Sequence, residues 1–150
     1  MRRSPRVFVD TNVLFAVALS TSGGSRLLLK LAEAGAITIV VGPRVLVEAD
    51  AVIARKAPDS RATLLLLLDR ARVELGVHPA EADLVLGRSV TDYEPDAHIV
   101  GEALAARVDV LATLDQEHLL GHGANMRPSL IIGTPGECLR WLREGWGGAQ

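Results

Sequence analysis

Four short runs in this chain are apolar at nearly every position: residues 7–9 (Val-Phe-Val), 37–41, 108–112 and 130–132, broken inside only by Thr38 and Asp109. A strand that faces water on one side alternates apolar and polar residues, whereas a strand buried on both faces does not. The runs are also rich in Val and Ile, which suit a pleated sheet. Helical segments separate them. Ser25 caps a helix over 25–34, and Gly42-Pro43 starts one that runs to about residue 57. Pro58-Asp59-Ser60 divides it from a helix carrying Leu64 to Leu68 and ending near residue 72. Pro95 opens a helix whose apolar residues Ile99, Val100, Ala103 and Leu104 recur at helical spacing. Short helices over 116–120 and 135–144 complete the pattern, and 74–90 reads as a short strand and a short helix. Buried strands alternating with helices predict an α/β fold, a three-layer α/β/α sandwich with a central parallel sheet.

The 150 residues form the expected single domain, 1–150, with a core of Leu, Val, Ile and Ala because aromatics make up only 3%. The formal net charge of −2 gives no global sign of a nucleic-acid binder, so a polyanion would have to be held by a local patch or through cations. Cys138, the sole cysteine, excludes an internal disulfide and agrees with a reducing cytosol. Arg2, Arg3 and Arg6 ahead of an apolar stretch imitate a signal peptide, but Asp10 and Asn12 interrupt that stretch. No apolar run approaches the roughly 20 residues that span a bilayer. A cytoplasmic protein is expected.

The polar residues at the strand ends carry the chemistry. Asp10 follows the first strand directly, and Asp115 follows Val110-Leu111-Ala112-Thr113-Leu114. Ligands of open α/β sheets bind outside the carboxyl ends of strands, so the two carboxylates would converge on one cleft. A carboxylate beside a dry sheet must be paired, protonated or bound to a cation, and no Lys or Arg lies close by in sequence. A hard divalent cation, Mg²⁺ or Mn²⁺, is the natural partner for clustered oxygens. Either Asp alone could equally cap a turn. Glu48, within Val45-Leu46-Val47-Glu48-Ala49, reads by itself as a surface residue that Arg44 could pair with at i−4. Asp96 sits in a first helical turn, where acids meet the helix dipole favourably, yet Asp92 and Glu94 crowd the same turn.

Taken in order, the strand with Asp10-Thr11-Asn12-Val13, Glu48 on the helix after strand two, Asp96 opening a small-residue helix, and Thr113-Leu114-Asp115 resemble the PIN-domain family. The resemblance runs from Arg6 to about Leu142 and includes the final Ile-Ile-Gly-Thr-Pro turn. It implies a ribonuclease with Asp10, Glu48, Asp96 and Asp115 as catalytic residues and ligands for one or two Mg²⁺ or Mn²⁺ ions. It further implies that Asn12 orients Asp10, that Thr113 offers its hydroxyl, and that Asp92 or Glu94 could join Asp96, the spacing here departing slightly from the usual pair. In-line hydrolysis would leave a 5′-phosphate. Many small relatives of this kind are toxins paired with an antitoxin protein, which this chain also resembles.

Arg44, Arg55, Lys56 and Arg61 are candidates to grip an RNA backbone, with a solvated helix face as the alternative. His78, His98, His118 and His122 show no zinc-like spacing. The leucine run 64–68 exceeds what one buried face needs, and a homodimer is expected. A phosphatase with a nucleophilic Asp would want a second Asp where Asn12 stands, and a receiver domain would want a lysine beyond Lys56, after which there is none. The remaining alternatives are a non-cleaving PIN-fold module that binds RNA or protein, and a housekeeping RNA-processing nuclease.

Overall fold

The computed structural model describes residues 3–115 and 130–146. Five strands, β1 (Arg6–Val9), β2 (Thr38–Val41), β3 (Glu74–Leu75), β4 (Val110–Ala112) and β5 (Ile131–Gly133), form one parallel sheet in the order β3-β2-β1-β4-β5. Phe8 in β1 stands opposite Val40 in β2 and Leu111 in β4, and all three are fully buried. That explains the unbroken apolar runs: the central strands have no wet face.

Around the sheet lie α1 (Thr11–Leu19), α2 (Gly24–Glu33), α3 (Pro43–Lys56), α4 (Arg61–Arg70), α5 (Glu81–Val90), α6 (Glu94–Ala105) and α7 (Pro135–Trp141). The chain steps from β1 to β2 to β3 in one direction, then returns past β1 to β4 and β5. Right-handed crossovers therefore put the connecting helices on opposite faces, which makes the α/β sandwich. The reversal between β1 and β4 is the switch point, where such sheets bind ligands beyond the strand ends.

One helix was not foreseen. Residues 11–19, Thr-Asn-Val-Leu-Phe-Ala-Val-Ala-Leu, form α1, but the segment is apolar on almost every side and has no polar periodicity to betray a helix. Val13, Leu14 and Val17 anchor it in the core. Two strands, β2 and β4, are shorter than expected, whereas β1 gains Arg6 and β5 is shifted by one residue. β4 begins at Val110 because Asp109 turns aside to accept from the Arg3 guanidinium and the Arg6 backbone N–H. The helix expected over 116–120 lies outside the described residues.

α5 and α6 pack closely through two glycines. A Cβ at Gly87 would collide with the Ala97 carbonyl oxygen, and one at Gly101 would crowd Leu84. In α4, Leu64 and Leu67 are buried whereas Leu65 and Leu66 are half exposed. Among the described residues no single helix is long and apolar enough to cross a membrane. α1 and α2 together have the length and composition, but they are bent by 88° and both bury residues in the core.

Candidate active site

Asp10 is the first residue beyond β1 and the N-cap of α1, and only 5% of it is exposed. Its backbone N–H donates to Ala112 of β4, so the sheet itself fixes where the side chain starts. Its Oδ1 accepts from the Thr11 N–H at 2.7 Å, and its Oδ2 accepts from the Thr113 hydroxyl at 2.8 Å. Burial pushes the Asp10 carboxyl above the usual range. The two hydrogen bonds oppose that push, and the charges of Asp115 and Glu48 add to it.

Thr113 is fully buried one residue beyond β4, with its N–H donating to Gly133. Its Oγ1 also accepts from the Asp115 N–H at 3.0 Å, so one hydroxyl positions two of the acids. Glu48 arrives from α3. Its Oε2 accepts from the Thr11 hydroxyl at 3.1 Å, and its Oε1 pairs with the Arg44 guanidinium at 2.9 Å. The sequence reading saw the Arg44 pairing but gave Thr11 no role.

Asp96 is the third residue of α6 and is buried. Burial, the neighbouring carboxyl of Asp115, and the charges of Asp10 and Glu48 push Asp96 up to about 8. Its Oδ2 is buried with no hydrogen-bond partner. Asp10, Glu48, Asp96 and Asp115 are thus one electrostatic cluster at the switch point, delivered by β1, α3, α6 and the segment after β4.

The neighbouring acids do not join it. Asp92 is exposed, and Glu94 forks to Arg88 at 2.9 Å. Asn12 does not touch Asp10 as expected. Its Oδ1 accepts from the Leu114 N–H at 3.0 Å, tying α1 to the segment that carries Asp115.

The donor set suits a hard cation: four carboxylates, of which Asp96 has an orphaned buried oxygen and is pushed up by burial and by the other acids. Among the described residues, however, no three His, Cys, Asp or Glu side chains stand as a preformed metal shell. Each acid is instead held by a protein donor or a neighbouring acid.

Residues 6–117 match the family described as PIN domain. The chain belongs to the PIN-domain family. Proteins of this family are generally nucleases, and those nucleases generally use divalent metals. Among solved structures, this PIN chain is similar to VapBC2 from Rickettsia felis, crystallised bound to a DNA fragment from their promoter. The TM-score is 0.63 at 16% identity, over 86% of this chain and 98% of that one, a likeness of fold. No curated protein matches it.

The four basic residues named as candidates to grip RNA are spread along this PIN domain. Arg44 lies at the start of α3 against Glu48, while Arg55 and Lys56 end that helix roughly 16 Å further along its axis. Arg61 is paired with Asp50 at 2.8 Å. Only Arg44 stands at the acid cluster. His98 is half buried, 3.8 Å from Glu102, and burial together with Arg44 lowers its pKa. His118 and His122 lie outside the described residues.

The sequence reading missed Glu102, a completely buried glutamate on α6. A signal for it existed. It sits three residues after Ile99, on the face that the apolar periodicity marks as the core side.

Proposed function

We propose that this PIN chain is a Mg²⁺- or Mn²⁺-dependent ribonuclease and the toxin of a toxin–antitoxin pair. The observation that carries the reading is the convergence of Asp10, Glu48, Asp96 and Asp115, with Asp96 held well above its usual pKa by burial and by the other acids. A site built only for stability has no use for that repulsion.

Carboxylate oxygens of these four residues would hold the metal, which when bound supplies charge neutralisation at the scissile phosphate and a more acidic water. Thr113 holds Asp10 and the Asp115 backbone in register for that task, and Thr11 holds Glu48. A proton held on Asp96 must leave when positive charge enters. Among the described residues, Arg44 is the cationic side chain placed to grip a phosphodiester beside the acids. In-line hydrolysis would leave a 5′-phosphate on one product.

The VapBC2 neighbour supports an antitoxin partner by likeness of fold alone. The half-exposed Leu65 and Leu66 on α4 offer an apolar contact for a homodimer, and the setting proposed is the cytoplasm. A second reading, a PIN-fold module that binds RNA without cutting it, is favoured by the lack of a preformed metal shell among the described residues.

The test is to incubate the purified protein with a mixed single-stranded RNA pool in Mg²⁺, in Mn²⁺ and in EDTA, beside Asp10→Asn. Metal-dependent cleavage that the variant lacks, with 5′-phosphate ends, supports the nuclease. Metal binding with every RNA left intact supports the binding module instead.

A further inference from the structure

The carboxylate of Glu102 lies in the protein interior, fully buried, and none of the roles above uses it. It stands on α6 but spends its hydrogen bond on another helix. Its Oε2 accepts from the Arg44 N–H at 2.9 Å, while its Oε1 is buried with no hydrogen-bond partner. The Arg44 N–H is one of the unsatisfied donors that open every helix. The N-cap position of α3 is Gly42, which has no side chain to cap with. Glu102 caps α3 from outside, and the missing Cβ of Gly42 makes the room: a Cβ there would run into the Glu102 carboxylate and the Phe8 ring.

The consequence reaches the acid cluster through Arg44. Glu102 holds the Arg44 backbone, while one helical turn further on Glu48 pairs with the Arg44 side chain. α6 also carries Asp96, six residues before Glu102, or about 9 Å along the helix. α3 and α6 meet only over a short stretch, and the hydrogen bond from the Arg44 N–H to Glu102 ties them. One helix therefore supplies an acid of the cluster and also the strut that locates the helix bearing another.

We propose that Glu102 is a positioning residue for the acid cluster: by capping α3 from α6 it sets Glu48 and Arg44 against Asp96. This rests on the reading of the cluster as a metal site. Metal sites are sensitive to such outer supports, whose loss typically costs about 10–100-fold in metal affinity or activity.

The experiment compares wild type, Glu102→Gln, Glu102→Ala and Gly42→Ala at a temperature where each is folded. It reads Mn²⁺ affinity by calorimetry, kcat and KM on RNA, and amide exchange at Arg44. Gln keeps a carbonyl oxygen in reach of the Arg44 N–H, so Glu102→Gln should stay within about threefold of wild type in Mn²⁺ affinity. Glu102→Ala should weaken Mn²⁺ binding at least about tenfold, lower kcat, and speed exchange at Arg44. Gly42→Ala, which displaces the carboxylate, should do the same and serves if Glu102→Ala does not fold. Faster exchange with unchanged Mn²⁺ affinity and kcat would overturn the proposal and leave Glu102 a structural cap. Equal losses in Glu102→Gln and Glu102→Ala would also overturn it. A wild type that binds no Mn²⁺ brings down the metal-site reading itself, and the proposal with it.

Discussion

The Thr113 hydroxyl donates to Asp10 Oδ2 at 2.8 Å, joining residues 103 positions apart, and accepts from the Asp115 N–H at 3.0 Å. A single buried side chain thereby sets the spacing between the acid after β1 and the acid after β4. Replacing it with the isosteric Val leaves one carboxylate oxygen and one N–H without those bonds. Thr113→Val should cost about 1–3 kcal/mol of stability in urea unfolding. It should also weaken Mn²⁺ binding, whereas Thr113→Ser should restore most of both. A Val variant as stable as wild type would mean that the hydroxyl is not a strut.

The raised Asp96 carboxyl makes stability depend on pH in a definite direction. Folded Asp96 holds its proton up to about pH 8, against an ordinary Asp value of 3.8, so the folded state binds the proton more tightly than the unfolded chain. That contribution is fully present below about pH 4 and is lost as pH rises towards 8. In EDTA, the melting temperature of wild type should fall across this window relative to Asp96→Asn, which has no proton there to lose. The variant should be the more stable protein at pH 8. Parallel curves from pH 5 to 9 would refute the upward shift of Asp96.

Arg44 and Glu48 are each about 39% exposed, so their pair should add no more than about 1 kcal/mol to stability. If Arg44 grips substrate, Arg44→Ala should barely shift the melting temperature but raise KM for RNA, with kcat less affected. An unchanged KM would move the substrate grip elsewhere.

Gly87 fixes how closely α5 approaches α6, the helix that carries Asp96 and Glu102. Gly87→Ala forces a methyl group onto the Ala97 carbonyl and should destabilise by about 1–3 kcal/mol, read from a lowered melting temperature. A neutral result would show that the helices can part without cost.

The parts of this architecture that were legible in the sequence are those with a strong local signature. Val7-Phe8-Val9 and Val110-Leu111-Ala112 announce strands buried on both faces, and the acids after them mark the switch point. Gly42-Pro43 and Pro95 announce α3 and α6. α1 stayed hidden because a helix apolar on nearly all sides lacks the polar face that would give its period away. The roles of Thr11, Asn12 and Glu102 depend on partners 37, 102 and 58 positions distant, which no local pattern encodes. Arg44 and Arg55, two of the candidates to grip RNA, share a helix but lie at its opposite ends, a separation that their likeness in sequence does not show.

The central claim is that the four convergent carboxylates take a divalent cation. The most direct measurement is calorimetric titration of wild type and Asp96→Asn with Mn²⁺ at pH 7, in two buffers of different ionisation heat. Wild type should bind Mn²⁺ and release about one proton per binding event, as the Asp96 proton leaves, whereas Asp96→Asn should bind at least about tenfold more weakly without that release. No Mn²⁺ binding by folded wild type, or binding equal in the two proteins, would contradict the account.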